Sequence, residues 1–148
     1  MHFRTNIELM SGYVPGEQPR GQKFIKLNTN ENPYPPSPKV TAAIAATLEK
    51  GLQRYPDPLG TAFRVRAAEV LGVEPDWILC GNGSDDILTI VTRAFVDSGD
   101  VVRYPAPSYI LYKTLADIQG ASCDVVRYEE DWSLGYEFTA PLPRLNLA

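Results

Sequence analysis

The segment Trp77-Ile-Leu-Cys-Gly-Asn-Gly-Ser-Asp-Asp86 leads from an apolar stretch through a glycine turn into a helical pattern. This order predicts a strand before the turn and a helix from Ser84 to about Val96. Gly81 and Gly83 allow a ligand to approach the main chain closely. The first amides of the helix lack intrahelical acceptors and lie at the positive end of its dipole. Together with the Ser84 hydroxyl, these amides predict a phosphate site.

Two better-known phosphate loops do not match this turn. A dinucleotide fingerprint needs a third glycine where this chain has Asp86, and a P-loop needs a lysine after the turn. The alternative is a plain strand-to-helix turn in which Ser84 or Asp85 caps the helix. If a phosphate binds, the carboxylates of Asp85 and Asp86 must cap backbone amides, turn away from it or meet a cationic ligand group. A phosphate carried on a cationic ring would meet that requirement.

The composition indicates one globular core and excludes several classes of function. The 148 residues are 44% hydrophobic and carry a net charge of −4, without a run of Lys and Arg, so no nucleic-acid partner is expected. The first residues support neither a signal peptide nor a membrane span. Cys80 and Cys123 are expected to be buried thiols in a reducing cytoplasm. His2 is the only histidine, so no histidine triad or metal site is expected.

Strands and helices alternate once the irregular, proline-rich residues 1–37 end. This alternation predicts an α/β fold with a mainly parallel sheet flanked by helices, and ligands bind at the carboxyl ends of such strands. The predicted strands are Trp77–Cys80, Val101–Tyr104, Ser122–Tyr128 and the opening of another at Leu145–Ala148. The other predicted helices extend from Ser37 to the stop at Gly51, over about Thr61–Leu71 and over Ser108–Gln119.

Three further motifs matter beside the glycine turn. In Tyr104-Pro-Ala-Pro-Ser-Tyr109, the last tyrosine either lies face-on against a planar heterocycle or packs in the core. Arg54-Tyr-Pro-Asp-Pro58 is a stiff loop that either presents Tyr55 to a phosphate or is an ordinary surface turn. Asn28-Thr-Asn-Glu-Asn-Pro-Tyr34 is, taken alone, a polar loop. None of the three motifs is specific by itself.

In order along the chain, the motifs L-N-x-N-E-N-P-Y, R-Y-P-D-P, G-N-G-S-D and Y-P-x-P-S-Y resemble the aspartate-aminotransferase-like, fold-type-I enzymes that use pyridoxal phosphate. Within that family they are most similar to the histidinol-phosphate aminotransferases, over nearly all of residues 9–128. The resemblance implies an N-terminal arm or small-domain segment at 1–37 and an incomplete cofactor-binding large domain at 38–148. It also implies a homodimer that transfers an amino group between histidinol phosphate, or a similar amino acid or amine, and 2-oxoglutarate in histidine biosynthesis.

The resemblance further implies which residues bind the cofactor, pyridoxal 5′-phosphate. Gly83, Ser84 and Asp85 would hold its phosphate, mainly through backbone amides and the serine hydroxyl. Tyr109 would stack on the pyridine ring. Tyr55 would reach across the dimer interface to the phosphate in the neighbouring subunit.

The resemblance makes Tyr13, Asn30 and Glu31 the candidates for substrate contact. It implies no catalytic residue within this chain, because the Schiff-base lysine is expected beyond Ala148, with the family's ring-nitrogen aspartate. We therefore expect a truncated chain that is inactive alone. Two alternatives are an L-threonine-O-3-phosphate decarboxylase-like enzyme that uses the same cofactor and a non-catalytic fragment.

Overall fold

The structure is a computed structural model of the chain, and it describes residues 2–11, 25, 27 and 30–148. The chain divides into two compact units, one of Met1–Ser11 with Ala62–Ala148 and the other of Gly12–Thr61. The domain boundary expected after residue 37 stays a prediction. Within the described part of the chain, no helix combines the length and the apolar character that crossing a membrane would require.

Helices and strands alternate from Ser84 onward, as predicted, whereas every described element before Ser84 is helical. In chain order the elements are α1 (Thr5–Glu8), α2 (Pro38–Glu49), α3 (Thr61–Leu71), a 3-10 helix (Pro75–Trp77), α4 (Ser84–Phe95), β1 (Val101–Ala106), α5 (Leu111–Gln119), β2 (Ser122–Arg127), α6 (Tyr136–Thr139) and β3 (Leu145–Leu147). Local signals set several boundaries, since Pro38 occupies the first position of α2 and glycines follow α3 and α5.

The three strands form one parallel sheet in the order β2-β1-β3. In the register of the sheet, Val102 of β1 lies beside Cys123 of β2. Val102 also joins Val96 and Ala116 in a buried cluster, against which Cys123 and Leu147 pack. The core therefore lies between this face of the sheet and the ends of α4 and α5, and the predicted α/β fold is confirmed.

The strand predicted over Trp77–Cys80 is wrong. Pro75–Trp77 form a 3-10 helix, and Ile78 is extended, with φ −111° and ψ 121°, yet residues 78–80 pair with no strand of the described sheet. The Arg64 Nε of α3 donates instead to the carbonyls of Pro75 and Ile78, at 3.0 and 2.9 Å. A short apolar run is compatible with an extended backbone, but a strand also needs a neighbour with which to exchange hydrogen bonds.

The two cysteines are less buried than expected. Cys80 and Cys123 are both partly exposed and are not joined by a disulfide bond. Cys123 lies in β2 as predicted, and burial raises the pKa of its thiol. Cys80 lies just after the 3-10 helix, outside any strand.

Asp100, in the turn before β1, forms hydrogen bonds with residues at both neighbouring strands, β2 and β3. It is 5% exposed, and its carboxylate accepts hydrogen bonds from the amide of Asp97 (2.8 Å), the guanidinium of Arg144 (2.9 Å) and the side-chain amide of Asn146 (2.6 Å). Its carbonyl accepts the amide of Ser122 at 2.8 Å. The backbone amide of Asp97, helped by Arg144 and Asn146, holds the pKa of Asp100 below its usual value despite the opposing effect of burial.

We expect Asp100→Asn to lower the free energy of unfolding at neutral pH. The variant's free energy of unfolding should also depend less on pH in acid than the parent's does. Because the folded pKa lies below the unfolded value of 3.8, the carboxylate stabilises the fold above that value, and this contribution is lost as pH falls through the folded pKa. Urea unfolding from pH 7 down to about pH 3 should show the largest gap between parent and variant near neutrality, narrowing in acid. A gap that stays constant over this range would contradict the assignment.

Candidate functional site

Two glycines shape the turn before α4 for different reasons. Gly83 has φ 84° and ψ 177°, a conformation that is essentially restricted to glycine. A Cβ built there would meet no atom of the described residues within 4 Å. The Gly83 amide donates to the Gly81 carbonyl at 3.0 Å and closes the turn. A Cβ on Gly81 would lie 2.7 Å from Oδ2 of Asp86. The backbone angles therefore require Gly83, whereas at Gly81 the reason for glycine is space, since an added Cβ would displace the Asp86 side chain.

The first turn of α4 presents backbone amides next to this open space. Gly83 is the N-cap and has no side chain, and the amide of Ile87 donates to its carbonyl at 3.4 Å. Ser84 and Asp85 occupy the first two helical positions, whose amides have no intrahelical acceptor and lie at the positive end of the helix dipole. The alternative in which one of these two residues caps the helix is therefore wrong. The amides and the Ser84 hydroxyl can together accept an anion.

The two acidic side chains that follow the turn have separate partners. The Asp86 carboxylate accepts the amide of Asn82 at 3.0 Å and so stabilises the turn. The Asp85 carboxylate oxygens lie 3.2 and 3.3 Å from the phenol oxygen of Tyr109, which donates to them. Asp86 therefore caps a backbone amide, which is one of the three expected arrangements. The hydrogen bond from a phenol to Asp85 is not among them.

Tyr109 lies between β1 and α5, and its ring is fixed at two points. The helix begins at Leu111 instead of Ser108, so Tyr109 precedes its first turn. Tyr109 is 48% exposed, so the alternative of a core tyrosine is wrong. Besides bonding Asp85, it meets Tyr112 edge-on, with ring centroids 6.2 Å apart and planes at 85°.

Tyr112 links this ring to the sheet and was missed in the sequence. Its own ring lies 5.9 Å from that of Tyr104 in β1, at an interplanar angle of 39°. The spacing of three between Tyr109 and Tyr112 was the available signal, because both lie in the helix predicted over Ser108–Gln119, and residues three apart face each other on a helix.

The other sequence-predicted site residues do not belong to the larger unit. Tyr55, Asn30 and Glu31 lie in the smaller unit, and Tyr13 lies outside the described residues. Tyr55 is fully exposed, as expected for an outward-facing tyrosine. Asp57 stiffens its loop, since its carboxylate accepts the amide of Thr61 at 2.7 Å. The roles of these residues stay predictions.

Sequence comparison identifies similar proteins. Residues 22–140 match the family described as aminotransferase class I and II. The chain is 54% identical over 139 residues to a histidinol-phosphate aminotransferase of Rhodopirellula baltica, covering 93% of this chain and 38% of that protein. It is 53% identical over 131 residues to histidinol-phosphate aminotransferase 1 of Trichormus variabilis, covering 88% and 37%. The chain thus spans well under half the length of these curated relatives.

Solved structures show the same fold. Histidinol-phosphate aminotransferase from Sinorhizobium meliloti, in complex with pyridoxal-5′-phosphate, superposes with a TM-score of 0.65 at 27% identity, over 70% of this chain and 28% of that one. Aspartate aminotransferase from Thermotoga maritima superposes with a TM-score of 0.74 over 84% of this chain and 36% of that one. At 23% identity, the second match supports the fold alone.

Proposed function

The chain belongs to the aminotransferase class I and II family, and from this membership we propose that it supplies the phosphate-binding part of a pyridoxal 5′-phosphate site. We further propose that the protein transfers an amino group between histidinol phosphate and 2-oxoglutarate in histidine biosynthesis. The identities of 54% and 53% to histidinol-phosphate aminotransferases support this substrate over threonine phosphate and its decarboxylation.

The residues of the larger unit fit this cofactor. Open space lies beside Gly83, and the amides of Ser84 and Asp85 offer donors to a phosphate. The hydrogen bond between Tyr109 and Asp85 carries the proposal, because it places a half-exposed aromatic ring directly beside the anion-binding turn. A ligand with both a phosphate and a planar ring would use both features.

When bound, pyridoxal phosphate supplies an aldehyde and an electron-accepting ring for amino-group transfer. In our proposal, this chain's own residues bind and orient that group: the α4 amides and the Ser84 hydroxyl bind the phosphate, and Tyr109 bounds one side of the ring. Lys113 is not assigned a covalent role. Its Nζ is paired with Asp117 at 2.6 Å, and this hydrogen bond raises the pKa of the amine and keeps it protonated.

The remaining roles rest on the family. We propose that the protein is a cytoplasmic homodimer in which Tyr55 reaches the phosphate in the neighbouring subunit. Tyr13, Asn30 and Glu31 would contact the substrate. The full exposure of Tyr55 supports a contact with a neighbouring subunit.

We expect the chain to bind pyridoxine 5′-phosphate about tenfold more tightly than pyridoxine, because the α4 amides recognise the phosphate. Pyridoxine phosphate lacks the aldehyde, so it cannot react with lysines elsewhere. Ser84→Ala should weaken binding about fivefold, which corresponds to the loss of one hydrogen bond worth about 1 kcal/mol. Thr89→Ala, which removes a hydroxyl that donates to the Asp85 carbonyl, is the matched control in the same helix.

Isothermal titration calorimetry of both ligands and both variants measures this difference. Equal affinities for pyridoxine and its phosphate would contradict the site. Because no lysine of these 148 residues is assigned a covalent role, the same preparation should show no glutamate-dependent amino transfer. Amino transfer by a preparation whose mass is confirmed by mass spectrometry would contradict that expectation.

A further inference from the structure

We propose that Asp85 is a positioning residue, whose carboxylate holds the Tyr109 phenol so that the ring is pre-oriented beside the anion-binding amides. This inference deepens the proposed function and rests on it. It assigns the Asp85 carboxylate to orienting Tyr109, the residue proposed to contact the ring. The phosphate is bound by backbone amides and not by this carboxylate.

The contact joins two separate parts of the chain. Asp85 lies in the first turn of α4, whereas Tyr109 lies 24 residues later, in the connection after β1. The phenol oxygen is almost equidistant from both carboxylate oxygens, at 3.2 and 3.3 Å, so the hydroxyl is shared between them. A single side-chain contact therefore couples the turn that presents amides to the residue that presents an aromatic face.

The tyrosine ring is restrained at its edge as well as at its hydroxyl. A tyrosine side chain turns about two bonds, and the Asp85 and Tyr112 contacts limit both. Because Tyr112 packs on Tyr104, these contacts connect the Tyr109 ring to β1. Restraint before binding removes part of the entropy cost of ordering a side chain at a ligand. Nearly half of Tyr109 remains exposed and open to a ligand.

The arrangement also resolves an electrostatic conflict. A carboxylate beside bound phosphate would repel it, and Asp85 follows Ser84 directly. Donation from the phenol ties the Asp85 carboxylate to the ring side of the site, and the positive end of the α4 dipole stabilises its charge. The charge can therefore remain in the first turn while the amides of the same turn accept an anion.

The first test detects the contact without a ligand. In chain labelled with 13Cζ-tyrosine, the Tyr109 resonance is the one missing from Tyr109→Phe. We expect Asp85→Ala to shift this resonance and Asp85→Asn, which retains an acceptor oxygen, to leave it nearer its original position. A Tyr109 resonance that Asp85→Ala does not move would overturn the proposal.

The second test measures the consequence for binding, using pyridoxine 5′-phosphate and inorganic phosphate as probes. Asp85→Ala and Tyr109→Phe should each weaken pyridoxine phosphate about threefold to tenfold, and the double variant should lose no more than either alone. Affinity for inorganic phosphate should not fall in any of them, because it has no ring to orient. Asp85→Asn should restore most of the loss, and Asp76→Ala, which removes the same charge at an exposed position, should have no effect.

The outcomes separate this role from the proposed function. If Asp85→Ala weakens inorganic phosphate as much as pyridoxine phosphate, or if the two single losses multiply, the positioning role is wrong. It is also wrong if parent and Asp85→Ala bind pyridoxine phosphate equally. A parent chain that does not bind pyridoxine phosphate would overturn the proposed function and this role together, even where the NMR contact is present.

Discussion

Gly83→Ala is expected to weaken pyridoxine 5′-phosphate binding by up to about tenfold, the whole contribution of the phosphate, and to destabilise the fold by about 1–3 kcal/mol. The cause is the backbone, since φ 84° and ψ 177° is a region that residues with a Cβ scarcely populate. Crowding is not the cause, because none of the described residues places an atom within 4 Å of the added Cβ. The variant can relieve the strain only by rotating the turn, which redirects the amides of Ser84 and Asp85.

Gly72→Ala is the matched control for this substitution. Gly72 follows α3 in the same unit and has φ 69°, and within the described part of the chain no atom lies within 4 Å of an added Cβ. We expect it to cost about 1 kcal/mol of stability, as for a left-handed residue after a helix, and to leave ligand affinity unchanged. Calorimetry and urea unfolding of both variants measure the two effects. Equal affinities in Gly83→Ala and the parent would show that the turn does not hold the phosphate.

Arg103→Met is expected to lower the free energy of unfolding by about 3 kcal/mol. Arg103 is 5% exposed, and its Nε donates to Oδ2 of Asp124 at 2.6 Å, its register neighbour in β2. Its Nη1 donates to the carbonyls of Phe138 and Ala140 at 3.1 and 2.5 Å. One buried side chain thus joins β1, β2 and the segment around α6, and its removal leaves a carboxylate and two carbonyls without these donors.

Arg66→Met tests whether burial is the cause. Arg66 pairs with Glu69 on the surface of α3, where the two side chains are 77% and 53% exposed. Such a pair contributes about 0.5 kcal/mol or less, so this variant should unfold close to the parent in urea. Adding Asp124→Leu to Arg103→Met should recover part of the loss, because it removes the unpaired carboxylate. Similar midpoints for Arg66→Met and Arg103→Met would contradict this account.

Local patterns predicted most of the helices and the two longer strands correctly. The proline at 38 and the glycines after α3 and α5 act within a few residues, so the start of α2 and the ends of α3 and α5 follow from the sequence. The glycine turn was predicted for the same reason. The motif order also sufficed for the family, which the match over residues 22–140 confirms.

Predictions that depended on distant partners were less successful. Residues 78–80 have the composition of a strand but no neighbour in the described sheet, and their environment includes Arg64. Cys80 was expected to be buried because that strand was expected. The partners of Asp85 and Asp86 could not be assigned either, since two adjacent carboxylates have the same local pattern and differ only in what the fold places beside them.

The sequence therefore specified the elements whose causes are local: the α4 turn, its glycines, its outward amides and the aromatic residue that follows β1. The folded chain specified which groups meet, bringing Tyr109 onto Asp85, Tyr112 against Tyr109 and Arg103 onto Asp124. The reason is physical. Backbone angles and helix signals act over a few residues, whereas a hydrogen bond across 24 residues exists only once β1 and its neighbours have packed.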